Sequence, residues 1–270
     1  CEKIFGERFP EGVKPEHISY PTGNLDELEL INYTSGTTSD PKGVMLSARS
    51  ISSNVEFAMK HMPNQPGWHI LSMLPLGHMY GMAFEFLYPF ASGCHIFFLG
   101  KTPTPTVLMQ ALADIKPYIL ITVPLVMEKI FKNKVMPTLN KPMMRILTSI
   151  PGVNNLIYGK VRATLLNTFG GNLRSIVLGG AAISLPVEKV MRKLRLPYTV
   201  GYGMTECAPI ITYDDWSVEK LYSCGKTVPN MEIMIASPDP QNVPGEIRVK
   251  GANVFLGYFK NEEATAEVFT

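Results

Sequence analysis

Cysteine is scarce: Cys1, Cys94, Cys207 and Cys224 are the four in 270 residues. Their spacing fits neither a metal-ligand pattern nor a dense disulfide framework, so reduced thiols and a cytoplasmic setting are expected. Long apolar runs are missing as well. "ILSMLPL" and "IFFLG" are strand-sized, well short of the roughly 20 residues of a bilayer-spanning helix, and the opening residues carry no secretory-signal pattern. Excess charge is lacking too: Lys and Arg total 25 against 23 Asp and Glu, a net +2. With no basic cluster longer than "RKLR" (Arg192–Arg195), nothing argues for a nucleic-acid partner. Contact with a membrane surface stays open. What remains is a globular chain on the apolar side, 46% hydrophobic and 18% charged, with core enough for one large domain or two ordinary ones.

One stretch stands out for its small polar residues. "YTSGTTSDPKGVML" (Tyr33–Leu46) sets hydroxyls, two glycines, a proline and Lys42 between apolar runs. Hydroxyl and backbone donors with one positive charge suit a phosphate. The common nucleotide loop, G-x-x-x-x-G-K-[ST], does not fit. Counted from Gly36, Pro41 stands where Gly is required and Gly43 where Ser or Thr is. The flanks "LELINY" and "VML" predict a hairpin turn, with a helix only after Ser47, its N-cap; Ile51, Val55, Ala58, Met59 and Met62 would form that helix's apolar face.

Beyond it, strand and helix patterns alternate. "WHILSMLPL" (Trp68–Leu76) reads as a buried strand. "CHIFFL", "TPTVLMQALADIKP" and "YILITVP" form a strand–helix–strand unit, and "VMEKIFKNKV" adds a helix. "LRSIVLGGA", "LPVEKVMRKLRLP" and "YTVGYGMTE" repeat the unit. From about Tyr213 short alternating runs are broken by Gly, Pro and Asn, with no helix pattern until Asn261. The expectation is an α/β fold: a largely parallel, doubly wound sheet over residues 1–215, then a small, incomplete antiparallel β subdomain over 216–270.

In such a sheet, ligands bind beyond the carboxyl ends of the strands. "LPLGH", "TVP", "LGGA" and "GYGMTE" put small or polar residues at those ends, and together they outline one crevice. "GYGMTE" (Gly201–Glu206) says most. Its glycines allow close approach to the backbone, Tyr202 offers a flat face for a base, Thr205 a hydroxyl, and Glu206 a hard oxygen ligand for Mg2+. A tight turn with a surface Glu is the plainer alternative.

Paired with "YTSGTTSDPKG" and with "GEIRVKGANVFLGYFKNEEAT" (Gly245–Thr265), this turn resembles the adenylate-forming, AMP-binding superfamily over essentially the whole chain. "LPLGHMYGMAFEFLYPFASG", "ITVPLVMEKIFKN" and "GGAAIS" look most like its long-chain fatty acyl-CoA synthetases. The resemblance implies a ligase that uses ATP, Mg2+ and CoA to convert a fatty acid to acyl-AMP and then to a thioester, releasing pyrophosphate and AMP. It puts Thr34, Ser35, Gly36, Thr37, Thr38 and Lys42 on the ATP phosphates. Tyr202 and Gly203 would lie at adenine, with Gly180 and Ala181 along its edge. Thr205 would meet the α-phosphate, Glu206 would hold the metal, and Thr205, Glu206 and Lys42 would be the catalytic set. His78, Val200 and Gly201 would border the acyl and CoA groups. It also implies that this is the central part of a larger domain. The ribose-binding aspartate would follow Thr270, and a mobile C-terminal domain with a further lysine would lie beyond. By that reading the isolated piece makes no acyl-CoA.

Other members keep other substrates in view. Peptide-synthetase domains hold an amino group with an Asp in the region of Gly77–Phe86, where this chain has none. A carrier protein in place of CoA, another adenylate-forming chemistry, or a non-enzymatic nucleotide- or acyl-binding module are the alternatives. Two departures from the family pattern are Ser39, where Gly is usual, and Ala48, where His is frequent. Lys42 also reads as a solvated loop lysine, and His78 as a hydrogen-bonded residue at a strand end.

Overall fold

A computed structural model describes residues 2–19, 22–34, 40–218 and 220–270. A short helix, α1 (Glu2–Arg8), and a 3-10 turn (Pro15–His17) precede the hairpin of β1 (Leu28–Tyr33) and β2 (Gly43–Ser47). The strands pair antiparallel, Tyr33 opposite Gly43, and Thr34 N–H extends the ladder to Lys42 O at 3.0 Å. The loop therefore does hang from a hairpin. Helix α2 (Ala48–His61) starts at Ser47, whose hydroxyl accepts from Ser50 N–H, as the cap chemistry predicts.

The buried face of α2 keeps Ala58 and Met62 of the apolar stripe but is otherwise shifted from it. Ser50, Ser53, Asn54, Phe57 and Ala58 point inward, whereas Met59 is exposed. The cause is Asn54, fully buried, whose amide donates to Ser50 O and Cys207 O and accepts from Ile210 N–H at 2.8 Å. Those bonds rotate the helix toward a polar contact that hydrophobic periodicity does not report.

The centre is a five-stranded parallel sheet ordered β4-β3-β5-β6-β7, with β3 (His69–Ser72), β4 (His95–Phe98), β5 (Ile119–Thr122), β6 (Ser175–Leu178) and β7 (Tyr198–Val200). Starting beside its second strand and growing outward past the first is a doubly wound order. Strand β3 is shorter than its sequence pattern. The Met73 and Leu74 N–H groups, which would continue a ladder, donate instead to Oε2 of the buried Glu85 at 2.9 and 2.7 Å. Glu85 sits in a π-helical turn (Met82–Leu87) between α3 (Met79–Gly81) and α4 (Tyr88–Ala91).

Helix α5 (Pro105–Ile115) links β4 to β5. Next come α6 (Pro124–Ile130), a π-helical turn (Phe131–Val135), α7 (Met136–Leu139), α8 (Pro142–Ser149) and α9 (Val153–Thr168); α10 (Leu185–Lys193) joins β6 to β7. Strand residues alternate between two cores. Ile70, Ile119, Ile121 and Val177 face α2, β2 and the later strands, whereas Leu71, Leu120, Ile176 and Leu178 face α5, α6, α9 and α10.

The remaining strands are short and antiparallel. β8 (Tyr202–Gly203), β9 (Ile210–Tyr213) and β10 (Lys226–Thr227) form one sheet, and β11 (Met231–Ala236) with β12 (Glu246–Gly251) form another. β13 (Gly257–Tyr258) returns to pair with β2, and α11 (Glu262–Val268) follows, capped by Asn261. The antiparallel texture expected after Tyr213 is present. It is stitched to the earlier part through β9–β10 and β2–β13.

Candidate functional site

A cavity of about 170 Å³ opens at the carboxyl ends of the parallel strands. Its wall takes His78, Met79 and Tyr80 from beyond β3, Gly179 and Gly180 from beyond β6, and Gly201 to Thr205 from beyond β7. Of the sequence-predicted residues, His78, Gly180, Gly201, Tyr202, Gly203 and Thr205 thus meet in one place. Tyr80 builds the floor. Its hydroxyl donates to the strand-end carbonyls of Thr122 and Val177, at 3.3 and 3.1 Å. A Cβ on Gly179 would lie 2.9 Å from that ring, so only glycine lets Tyr80 close over the strand ends. Gly203 likewise has a reason within the fold, since a Cβ there would stand 2.1 Å from Pro209 O.

Glu206, Val200 and Ala181 do not line this cavity. Val200 turns into the core on the α10 side, and Ala181 is exposed. Glu206 opens a second, adjoining cluster from the 3-10 turn Thr205–Cys207. Its Oε1 accepts from the Tyr258 hydroxyl at 2.8 Å, and Lys42 Nζ lies 5.0 Å from the Tyr258 ring centroid, within cation–π range. Burial pushes the Tyr258 phenol above its ordinary value, and the bond to Glu206 adds to it. Tyr258 therefore stays a neutral donor.

Three chain-distant segments are locked here by backbone bonds. Phe255 N–H donates to Glu206 O at 2.9 Å, Leu256 N–H to Met45 O at 2.8 Å, and Phe259 N–H to Gly43 O at 2.7 Å. Gly43 is closely packed at that junction, where a Cβ would stand 3.0 Å from Ile31 Cγ2 and 3.3 Å from Phe259 Cβ. The hairpin also reaches the cavity rim, where Asn32 Nδ2 donates to Gly77 O at 2.8 Å. Thr34 holds the loop base, its Oγ1 accepting from Lys42 N–H at 3.3 Å. Ser35, Gly36, Thr37 and Thr38, the rest of the expected phosphate set, lie outside the described residues, as does Ser39.

Sequence reasoning missed Tyr258 as part of the site and gave Tyr80 no role of its own. Tyr258 stood inside the quoted "FLGYFKN", but an aromatic in a β-rich stretch signals packing first. Tyr80 differs from a core tyrosine only by the glycine pair opposite it, "GG" at 179–180. For the metal, no cluster of three or more His, Cys, Asp or Glu exists among the described residues. Glu206 keeps Oε2 unbonded among them, which suits Mg2+, an ion held by one or two carboxylates plus substrate phosphates and water. No helix among the described residues is long and apolar enough to cross a membrane.

Comparison with known proteins gives the family and the fold. The family described as AMP-binding enzyme matches residues 6–259. Long-chain-fatty-acid–CoA ligase FadD15 of Mycobacterium bovis is 31% identical over 92% of this chain and 43% of its own length. Long-chain-fatty-acid–CoA ligase 1 of Saccharomyces cerevisiae is 31% identical over 93% of the chain and 39% of its own. The chain thus spans about two fifths of the relatives it matches. Among solved structures, apo MatB from Rhodopseudomonas palustris superposes with a TM-score of 0.69 at 23% identity, covering 94% of this chain and 45% of that one. O-succinylbenzoate CoA synthetase of Bacillus subtilis in complex with the acyl-adenylate intermediate OSB-AMP gives 0.69 at 25% identity, covering 92% and 45%. The chain belongs to the AMP-binding enzyme family.

Proposed function

We propose that the protein containing this chain activates a long-chain fatty acid with ATP, forming acyl-AMP and pyrophosphate, and then transfers the acyl group to CoA with release of AMP. The observation that carries the reading is the junction of three segments: the base of the hydroxyl loop at Lys42–Gly43, the turn at Thr205–Glu206, and Tyr258 between them. A site for in-line attack of a carboxylate on the α-phosphorus needs a cradle for a flat base and a positive charge for the leaving pyrophosphate. The cavity at Gly180 and Gly201–Thr205 has an open aromatic face in Tyr202 for the base. Ala181 would border that base from the exposed side. Lys42 and the loop hydroxyls of Thr34, Ser35, Thr37 and Thr38 would neutralise the β- and γ-phosphates. Mg2+, when bound at Glu206, would supply further neutralisation. Tyr258 orients the Glu206 carboxylate while its ring lies against Lys42. No general base is required, since a carboxylic acid is ionised at neutral pH. His78 and the apolar Met79, Phe84 and Met62 offer an acyl group a wall without a counter-ion, as an acid lacking an amine would need.

The test uses the full-length protein and ATP–pyrophosphate exchange driven by a long-chain fatty acid. Glu206→Ala is expected to lower exchange by at least about a hundredfold, on the scale of a lost electrostatic contact, against a loss of about 1 kcal/mol in stability for the broken Tyr258 bond. Unchanged exchange sinks the assignment. One relative is named a long-chain-fatty-acid–[acyl-carrier-protein] ligase, from Arabidopsis thaliana, 27% identical over 90% of this chain. Thioester assays with CoA and with a carrier protein, run side by side, separate the two acceptors.

A further inference from the structure

We propose that the face formed by the π-helical turn after α6, together with α8 and α9, docks on an anionic lipid bilayer. From Lys129 to Val187 there are eight Lys and Arg and not one Asp or Glu; all 23 acidic residues lie elsewhere. The near-neutral total hides this segregation. Lys129, Lys134, Lys141, Arg145 and Lys160 are exposed, and Lys132 pairs with Glu128 just outside the stretch.

Apolar side chains stand among these cations. Helix α8 has no buried residue, and Met143 and Ile146 on it are 70% and 64% exposed. Their spacing, with Ile150 one turn further, puts them on one side, while Met144 and Leu147 are half-buried. On α9, Leu156 is 75% exposed and Lys160 follows one turn later. A helix that turns its apolar side outward between Lys141 and Arg145 has the distribution of an interfacial helix: apolar side chains for the acyl boundary, cations for the headgroups.

Charge decides the occupant. A nucleic acid would use the cations and leave the apolar side chains in water, whereas an anionic bilayer uses both. Helix α6, which leads into this face, starts beside the cavity. Val123 Cγ1 comes within 3.7 Å of the Gly180 Cβ position, and α6 starts at the next residue, with Leu125 60% exposed. The proposal does not depend on which acid or thiol the protein uses.

The experiment sediments the full-length protein with vesicles of phosphatidylcholine, alone or with about a third phosphatidylglycerol, at low and high salt. Surface attraction worth about 1 kcal/mol per basic residue corresponds to roughly fivefold in binding. Lys141→Glu/Arg145→Glu is therefore expected to weaken binding to the anionic vesicles at least about twentyfold, and Met143→Ser/Ile146→Ser by about tenfold. All these positions are exposed, and a thermal melt confirms that each variant folds. Binding should drop with salt and be weak on neutral vesicles. The thiol introduced by Ile146→Cys, followed by peptide mass, should react with a maleimide in lipid-free protein and be protected by anionic vesicles. No binding, binding insensitive to both double variants, or an introduced thiol shielded without lipid overturns the proposal. So does loss of a dimer in the apolar double variant, which would make the face an interface between copies.

Discussion

The two faces of the parallel sheet begin from the same alternating strands and are closed by different chemistry. On one face, helices α5, α6, α9 and α10 cover Leu71, Leu120, Ile176 and Leu178, and the joint is apolar apart from the buried Glu188 of α10, which accepts from the Tyr198 hydroxyl and from Tyr222 N–H. On the other, Ile70, Ile119, Ile121 and Val177 meet α2, the hairpin and the turns around Thr205. There the packing is threaded by buried Asn32, Asn54, Glu85 and Asn253, each bonded to backbone of another segment. Regular helices satisfy their own N–H and C=O groups; turns and short strands do not, and side-chain amides and a carboxylate complete the bonding. The cavity lies on the polar-threaded face. A site built from turns is held in place by such bridges more than by apolar burial.

The largest expected effect tests the apolar face. Phe169, fully buried, should cost roughly 3–5 kcal/mol on replacement by Ala, read as a shift in denaturant midpoint. Exchange activity per folded molecule should stay near that of the parent. A selective loss of activity would erase the distinction between the faces.

Asn54→Ala breaks the other side. It leaves Ile210 N–H and Cys207 O buried without their partner, at roughly 2–4 kcal/mol in all. Because those groups border the Thr205–Glu206 turn, the apparent KM for ATP should rise as well. A purely thermodynamic loss, with KM unchanged, would mean that the bridge does not position the turn.

Glu85 gives the face a pH signature. Burial holds its carboxyl up at about 7, against the bonds from Leu74, Met73 and Ser72, which favour the anion. The folded value exceeds the unfolded one, so its stabilising contribution is complete below about pH 4.5 and fades as pH rises through about 7. Glu85→Gln keeps an acceptor for the Met73 and Leu74 N–H groups and removes the titration. Between pH 5 and 8 the parent should lose roughly 2–3 kcal/mol more than this variant, at about 1.4 kcal/mol per pKa unit. Identical pH profiles would put the charge elsewhere.

Tyr258→Phe is the smallest change, about 1 kcal/mol in stability for one hydrogen bond. Its informative readout is exchange activity, which should fall more than stability does. An unchanged rate would leave Glu206 oriented by other groups.

Much of the scaffold was legible in the residues. The hairpin followed from the extended flanks "LELINY" and "VML", once Pro41 and Gly43 had excluded a Walker loop. Ser47 announced its helix because cap chemistry is local, and the helix pattern resuming at Asn261 is α11. What escaped was tertiary. Asn54 outweighed the stripe of Ile51, Val55 and Met59, and Glu85 cut β3 short, because a buried polar bridge leaves no periodic trace. Residues 136–172 carried no clear pattern for a related reason: α8 buries nothing, and α9 buries only Leu165. Of the candidate site, the glycines and Tyr202 were readable as a turn beyond a strand. The pairing of Glu206 with Tyr258 joins residues 52 positions apart, and sequence spacing gives no hint of it.

The central claim is that three distant segments form one nucleotide site. Hydrogen exchange of the full-length protein, with and without ATP and Mg2+, tests it directly. The account predicts joint protection of peptides spanning 33–44, 201–207 and 255–259, rising together with ATP concentration, and none in α8 or α9. Protection confined to one of the three segments, or spread over α8 and α9 instead, would contradict it.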